Sequence, residues 1–383
     1  MPLRIFIHVQ HLLGTGHFRR AAAIGQALSE AGCEVEIASG GLPLANPGTG
    51  AARLFQLPPM RTADATFTSF LDEHGRPIDA DWKTRRQDML LARFSDLRPD
   101  VLITELFPFG RRQLEFELLP LLERARALSP RPLILCSLRD VLVAPRDPAK
   151  ITRALERTQA YDRILVHGDP ALLDLPASYP AARDLGDRLV YTGYIAAPPS
   201  PEPPGDDGHD EIIVSSGGGA VGARLLETAL AARELSRSGG RWRFLLGADL
   251  PAEARNRLLA RQAPGTIIEP ARADFPGLLR RCRVSLSQAG YNTVMDILQA
   301  KTRAVLVPFA AGGETEQKLR AAALTARGWA TVLDEASLDA AGLAAAITQA
   351  GHRSRPEAGT LRCNGASETA RLVGTLQAER RTA

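Results

Sequence analysis

Long apolar runs are missing from this 383-residue chain, and no stretch is long enough to span a bilayer. Cysteine is scarce: Cys33, Cys136, Cys282 and Cys363 lie far apart and form no C-x-x-C pair. That spacing argues against a disulfide framework or a zinc site and fits buried thiols in a reducing cytosol. The opening residues, MPLRIFIHVQHLLG, turn polar too early for a signal peptide, so none is expected. Blocks of like charge are absent too, and the net charge of +4 is scattered along the chain. A mildly basic, unclustered balance suits an anionic ligand or an acidic membrane surface and gives no footprint for nucleic acid. No internal repeat of solenoid length is present.

What is present is a globular composition, 45% hydrophobic and 23% charged, in a chain too long for one core. Short apolar runs recur. The first half holds LRIFIHV (3–9), EVEIA (34–38), VLIT (101–104), PLILC (132–136), RILVH (163–167) and LVYTGYI (189–195). The second holds EIIVSS (211–216), RWRFLLG (241–247), GTIIEP (265–270), VSLS (284–287), RAVLVPF (303–309) and ATVL (330–333). Helical spacing lies between them, as from Phe18 to Ala31 and over 80–97. Alternation of this kind predicts parallel sheets. Residues 40–60 and 350–365 read as loops. The boundary falls in 196–210, AAPPSPEPPGDDGHD, which contains five prolines. The expected organisation is a domain over 1–195, a linker over 196–210, a second domain over 211–365, and a helix within 366–383 that packs back on the first domain.

Ligands bind open α/β sheets beyond the carboxyl ends of strands, so the loops there carry the candidate chemistry. The stretch 284–299, VSLSQAGYNTVMDILQ, reads as strand, glycine turn and helix. Ala289-Gly290 lets a backbone approach a ligand, and Asn292 and Thr293 fall where helices start. A helix N-terminus suits a diphosphate, and Asp296, one turn in, is placed to accept ribose hydroxyls. An ordinary βα turn has the same outline. GGGAVG (217–222) is a literal G-x-G-x-x-G. A dinucleotide site wants an acid at the end of the next strand, about 20 residues on. Here Asp249 lies beyond that strand, too far along. A glycine loop that admits a phosphate or sugar to a helix start is the better fit, with a tight turn as the plain alternative. Gly14-Thr15-Gly16-His17 occupies the first βα loop, and histidine is the side chain best suited to general-base work near neutrality. A capping or surface histidine is the alternative, and His8 reads as a core residue. Arg20 shares the face of His17 and either binds a phosphate or is simply solvated; Glu105, Arg139, Asp140 and Asp169 follow strands, and each either reaches a sugar hydroxyl or forms an N-cap or loop salt bridge. Phe107, Phe109, Arg111 and Arg112 either touch an acceptor lipid or pack on their own helix. Glu316 and Gln317, after Gly312-Gly313, either bracket sugar hydroxyls or open a solvated helix. Asp79-x-Asp81 reads as a helix cap rather than a metal site.

In order along the chain, GTGH, SSGGGAVG, SQAGYNTVMD and PFAAGGETEQ resemble the GT-B glycosyltransferases. The nearest branch contains the lipid-linked N-acetylglucosaminyltransferase of peptidoglycan synthesis, with a glycosyltransferase 28-like C-terminal domain. The most specific part is A-G-x-x-T-x-x-[DE], followed by P-F and E/Q-Q. The resemblance implies an α/β, GT-B fold: two facing Rossmann-like domains with parallel sheets, the acceptor on the first and the donor on the second. By position, Gly217, Gly218 and Gly219 approach the diphosphate. Ala289, Gly290, Asn292 and Thr293 lie at the diphosphate-binding helix, Asp296 takes the ribose, and Phe275 lies by the base. Glu316 and Gln317 contact the donor sugar. His17 is the candidate base, with Gly14, Gly16, Arg20, Glu105 and Arg139 on the acceptor side. Two departures stand out. The peptidoglycan enzyme has an extra glycine before its histidine, and its pair of glutamines is Glu-Gln here. The string G-x-G-H-x-x-R, Gly14 to Arg20, instead resembles the UDP-sugar hydrolase of pseudaminic acid synthesis.

The expectation is therefore a metal-independent, inverting glycosyltransferase that needs no cofactor. It would take a UDP-linked sugar, with a HexNAc in view, to an unidentified acceptor hydroxyl that is lipid-linked in the nearest branch. It would lie in the cytoplasm or peripherally at the inner face of the membrane. The rivals are a UDP-sugar hydrolase of the same fold, a non-catalytic nucleotide-sugar-binding protein, and an NAD enzyme.

Overall fold

A computed structural model describes residues 2–12, 15–62, 69–196, 201–217, 222–236, 240–309, 315–357 and 361–382. The chain forms two compact units, Met1–Ile195 with Arg362–Ala383, and Ala196–Leu361. The first runs β1 (Arg4–Val9), α1 (Gly16–Glu30), β2 (Glu34–Ser39), β3 (Arg53–Gln56), β4 (Arg61–Thr62), β5 (Phe70–Leu71), α2 (Ala80–Leu97), β6 (Val101–Glu105), α3 (Glu115–Ala127), β7 (Leu133–Arg139), α4 (Pro148–Arg157), β8 (Arg163–His167), α5 (Leu175–Ser178) and β9 (Leu189–Tyr191). The second runs β10 (Ile212–Ser215), α6 (Ala223–Leu235), β11 (Trp242–Leu246), α7 (Ala252–Ala260), β12 (Thr266–Pro270), α8 (Phe275–Arg281), β13 (Val284–Ser287), α9 (Tyr291–Gln299), β14 (Ala304–Leu306), α10 (Glu316–Ala326), β15 (Ala330–Val332) and α11 (Ala340–His352). The chain then returns to the first unit as α12 (Gly365–Thr382).

Helices on both faces explain the unbroken apolar runs of the central strands. Phe6, Leu102, Ile134 and Ile164 face a layer with Leu90 and Phe94 of α2 and Leu118 and Leu121 of α3. Ile5, Ile7, Ile103, Leu135 and Leu165 face the opposite layer, with Phe18, Ile24 and Leu28 of α1 and Val373 and Leu376 of α12. The C-terminal helix is thus part of the first core. The return begins before it: Tyr194 donates its N–H to the Arg362 carbonyl at 2.7 Å, and Ile195 bridges Asn364. In the second unit Trp242, Phe244, Val284 and Leu286 form the core with α6 and α11.

The first sheet is parallel, in the order β3-β2-β1-β6-β7-β8-β9, and the second is parallel, in the order β12-β11-β10-β13-β14-β15. Strand order reverses between β1 and β6 in one and between β10 and β13 in the other. Such reversals open a crevice at the carboxyl ends of the strands.

Several local features refine the sequence expectations. The stretch 40–60 contains β3, a four-residue strand whose Arg53 and Leu54 are exposed at the sheet edge. Its apolar content is too small to register as a strand. Residues 201–210 are packed rather than free: Glu202 pairs with Arg280 at 2.6 Å, and Pro203 accepts from Arg281 at 3.0 Å. Asp207 pairs with Arg243 and Arg272. Phe107 and Phe109 are buried in the first core, Phe109 edge-on to Tyr179, so neither ring offers itself to a lipid. Asp79 accepts from the Trp82 N–H at 2.7 Å and caps α2. All four cysteines are free, and burial pushes the Cys282 thiol up to about 12.

Candidate functional site

The loops after β1 and β6 converge at the first reversal. Glu105 is the last residue of β6, and His17 stands in the first turn of α1. His17 Nδ1 lies 2.9 Å from Glu105 Oε1. Arg20, one turn on and buried, donates through Nε to both carboxylate oxygens, at 3.1 and 3.3 Å, and pairs with Oε1 through Nη2. The Ser137 hydroxyl donates to Oε2 at 2.5 Å. Ser137 Oγ lies 3.0 Å from His167 Nε2, and His167 Nδ1 lies 2.8 Å from Thr192 Oγ1.

The proton order follows from Glu105. Burial opposes its ionisation, but the Arg20 guanidinium, with His17 adding to it, holds its carboxyl well below the usual range. An anionic carboxylate only accepts, so the facing Nδ1 of His17 carries a hydrogen and Nε2 keeps its lone pair. Arg20 Nη2 also lies 3.1 Å from Nδ1, the longer of the two approaches, and Arg20 Nε and Nη2 both bond to Glu105. Ser137 has spent its one hydrogen on Glu105, so His167 Nε2 donates to it and Nδ1 accepts from Thr192. The His17 ring is held down at about 4, by burial first, with Arg20 and Arg111 pushing the same way and Glu105 opposing. Its side chain is 15% exposed. The site is therefore a neutral, oriented imidazole with one nitrogen unpartnered among the described residues, the arrangement a general base needs.

The surroundings are cationic. Arg111 drops to about 10, by burial first, with Arg139 and Arg20 pushing it down and Glu105 holding it up. Three guanidinium groups thus act around one carboxylate, a field that favours an anionic ligand. His8 is a core residue: its Nε2 lies 3.2 Å from Glu117 Oε1, and Glu117 also takes Arg86 Nε at 2.6 Å. His11 lies 3.0 Å from the Leu42 carbonyl.

At the second reversal, Gly217 follows β10 in the left-handed region, φ +72°, which glycine tolerates. Its N–H reaches Ser215 Oγ at 3.2 Å. Gly290 is different: its φ of −63° suits any residue, and a Cβ there would meet nothing within 4 Å. Nothing among the described residues asks for glycine at 290. Gly290 is the N-cap of α9 and offers no side chain to its first turn, which Asn292 and Thr293 occupy. The hydroxyls of Ser216 and Ser287, at the ends of the two flanking strands, are buried and find no partner among the described residues. An unsatisfied buried hydroxyl costs about 1–3 kcal/mol, so a polar ligand or water is expected there.

The α10 start joins this turn from behind. Gln317 Oε1 accepts from the Ala289 N–H at 3.0 Å and the Phe309 N–H at 3.1 Å. Arg320, fully buried, donates to the Ala289 carbonyl and to Glu316 Oε1, both at 2.9 Å. It stacks over the Tyr291 ring at 5.5 Å. Glu316 and Gln317 are thus engaged in shaping the turn, and the Gln317 amide nitrogen has no partner among the described residues. Phe275 opens α8 and is half-buried, and Asp296 is half-buried one turn into α9. Gly14, Gly218 and Gly219 lie outside the described residues.

Sequence reasoning placed Glu105 and Arg20 near the acceptor but not against each other, and it missed Ser137, His167, Thr192, Ser216 and Arg320. Ser137, His167 and Ser216 each stand at or beside the end of a strand, the one signal that could have found them.

Residues 217–373 match the model of the glycosyltransferase family 28 C-terminal domain. A UDP-N-acetylglucosamine–N-acetylmuramyl-(pentapeptide) pyrophosphoryl-undecaprenol N-acetylglucosamine transferase of Prochlorococcus marinus (strain MIT 9303) is 27% identical over 210 residues, 53% of each chain. The chain therefore spans about half the length of that curated relative. Among solved structures, MurG of Acinetobacter baumannii superposes with a TM-score of 0.61 at 16% identity over 100% of both chains. CalG4, the calicheamicin glycosyltransferase, gives 0.66 at 16% identity over 99% of this chain and 98% of its own. These likenesses establish the fold, two parallel-sheet α/β domains of the GT-B type.

Proposed function

We propose that this chain, which has the GT-B glycosyltransferase fold and a family 28 C-terminal domain match over 217–373, transfers a sugar from a UDP-linked donor to an acceptor hydroxyl. The reaction is metal-independent and inverts the anomeric centre. The observation that carries this reading is the His17–Glu105 pair at the first reversal, with Nε2 of His17 unprotonated. His17 takes the proton of the acceptor hydroxyl as its oxygen attacks the anomeric carbon, and the sugar–phosphate bond breaks. Glu105 orients the ring and stabilises the imidazolium that forms, and Arg20 and Ser137 hold Glu105 in place. The departing diphosphate is received by the first-turn N–H groups of α9 at Gly290 and by the Gly217 loop, a preorganised electrostatic role. Asp296 takes the ribose, Phe275 lies beside the base, and Gln317 meets the donor sugar.

The relative's name supports UDP and an N-acetylhexosamine as the donor. The cationic field of Arg20, Arg111 and Arg139 supports an acceptor that carries an anionic group, as a lipid diphosphate does. Peripheral attachment at the inner face of the membrane suits such an acceptor; among the described residues no helix is long and apolar enough to cross a membrane. The test is UDP release from a panel of UDP-sugars with lipid and soluble extracts as acceptor sources. Wild-type turnover that is lost in His17→Gln supports the proposal, and turnover unaffected by it ends the role of His17.

The stretch Gly14 to Arg20 favours a second reading, a UDP-sugar hydrolase in which the same base activates water. Rapid acceptor-free release of sugar would select it.

A further inference from the structure

The first unit carries a cavity at the pole opposite His17, where β1, β6 and β7 begin. It encloses about 560 Å³ and is lined by Arg4, Arg98, Arg131, Arg380 and Arg381, with Asp100 the one carboxylate in its wall. A volume of that size is in the range of ligand sites. Its polarity is not what a leftover packing gap shows, since empty cavities are apolar.

The acids nearby are already committed. Asp100 accepts the Arg4 N–H at 2.8 Å and pairs with the Arg4 side chain at 3.7 Å. Asp162 pairs with Arg131 at 2.9 Å and with Arg380 at 3.8 Å. Five guanidinium groups against these two carboxylates leave an excess of three positive charges. The guanidinium groups of Arg98 and Arg381 have no hydrogen bond or ion pair among the described residues. Pro99, Pro130 and Pro132 stiffen the wall between them.

Arg98 supplies an independent sign. It ends α2 with φ 46° and ψ 64°, in the left-handed region where glycine is the usual residue. Its backbone N–H bonds to the Phe94 carbonyl, as any residue's would. What arginine adds at this position is the guanidinium, and that group lines the cavity. A non-glycine residue held in that region carries a cost in strain that its side chain must offset.

We propose that this cavity binds a phosphate-bearing anion, held by Arg98 and Arg381 with Arg4, Arg131 and Arg380 as the fixed part of the cradle. Guanidinium groups match phosphate oxygens in a bidentate manner, which accounts for arginine in all five cationic positions. The site is separate from the His17 cluster and does not rest on the proposed reaction.

The experiment compares the wild type with an Arg98→Gly/Arg381→Ala double variant, whose glycine relieves the left-handed backbone and keeps the fold. Titration calorimetry with inorganic pyrophosphate tests a soluble anion; flotation with phosphatidylglycerol against phosphatidylcholine vesicles tests a lipid headgroup. Any pyrophosphate bound elsewhere is common to both proteins and cancels. The expected result is a loss of at least about tenfold in pyrophosphate affinity, or of phosphatidylglycerol flotation, in the double variant, with stronger binding at low salt. The responding arm identifies the source of the phosphate. Equal behaviour of the two proteins in both arms, or no binding by the wild type in either, overturns the proposal. The thermal melt of the double variant should match the wild type, which separates a lost site from a lost fold.

Discussion

Replacing Glu105 with glutamine keeps the shape of the side chain and removes its charge. In the wild type that carboxylate is nearly inaccessible and holds Arg20, His17 and Ser137 at once. Removing one partner of a buried ion pair costs about 3–5 kcal/mol. Glutamine still offers an oxygen, so the lower figure applies, about 3 kcal/mol, or roughly 6–12 °C in melting temperature for a unit of this size. The chemical consequence is larger. An amide does not require a hydrogen on His17 Nδ1, so the ring is free to turn or to move its proton to Nε2, the nitrogen that must accept. Loss of an oriented base costs about 10²–10⁴ in rate. Long-range ¹H–¹⁵N spectra of the imidazoles report the tautomer directly and need no acceptor. The wild type should show His17 neutral with the proton on Nδ1, and Glu105→Gln should lose that single form. A wild-type ring protonated on Nε2 at neutral pH would refute the reasoning, whatever the stability of the variant.

Three further perturbations separate binding from folding. Gly290→Ala should cost no more than about 1 kcal/mol, roughly 2–4 °C in melting temperature, because alanine is only the poorer N-cap and a Cβ there meets nothing. Its UDP affinity by calorimetry should fall at least about tenfold if a diphosphate approaches that backbone; unchanged affinity would remove Gly290 from the site. The pH dependence of His17 has a defined sign. Its folded value, about 4, lies below the free value of 6.5, so the unfolded chain binds the proton first as pH falls. The neutral ring's contribution is complete above pH 6.5 and is lost as pH falls towards 4, and His17→Asn should flatten that part of the stability curve. The acid limb of kcat/KM should likewise lie near 4; a limb at 6.5 would mean an ordinary solvated histidine. Arg320→Met leaves Glu316 buried without its cation and should cost about 3–5 kcal/mol in denaturant unfolding. It should also weaken UDP by freeing the Ala289 turn; full UDP affinity in the variant would contradict the positioning role.

The parallel sheets were legible because strands covered on both faces must be apolar throughout, and RIFIHV, VLITE and RILVH are short enough to be strands and nothing else. The loops of interest were legible for the same reason: they follow those strands. Pairing across the chain was not. His17 and Glu105 are 88 residues apart, and only the order β1-β6 makes them neighbours. Composition left Phe107 and Phe109 open between a lipid contact and packing, and both rings belong to the core. The prolines of 196–210 marked a boundary, but they gave no sign that Glu202 would pair with Arg280 and Arg281 and Asp207 with Arg243 and Arg272. Gln317 looked like a sugar ligand from its position; that its oxygen would cap two backbone amides depends on a turn the sequence does not describe.

The most direct test compares UDP binding with UDP release in wild type and His17→Gln, with a UDP-sugar and the acceptor extracts present. The account predicts that both proteins bind UDP with the same affinity and that the variant releases it at least about 10²-fold more slowly. Equal rates, or a wild type that does not bind UDP at all, would contradict it.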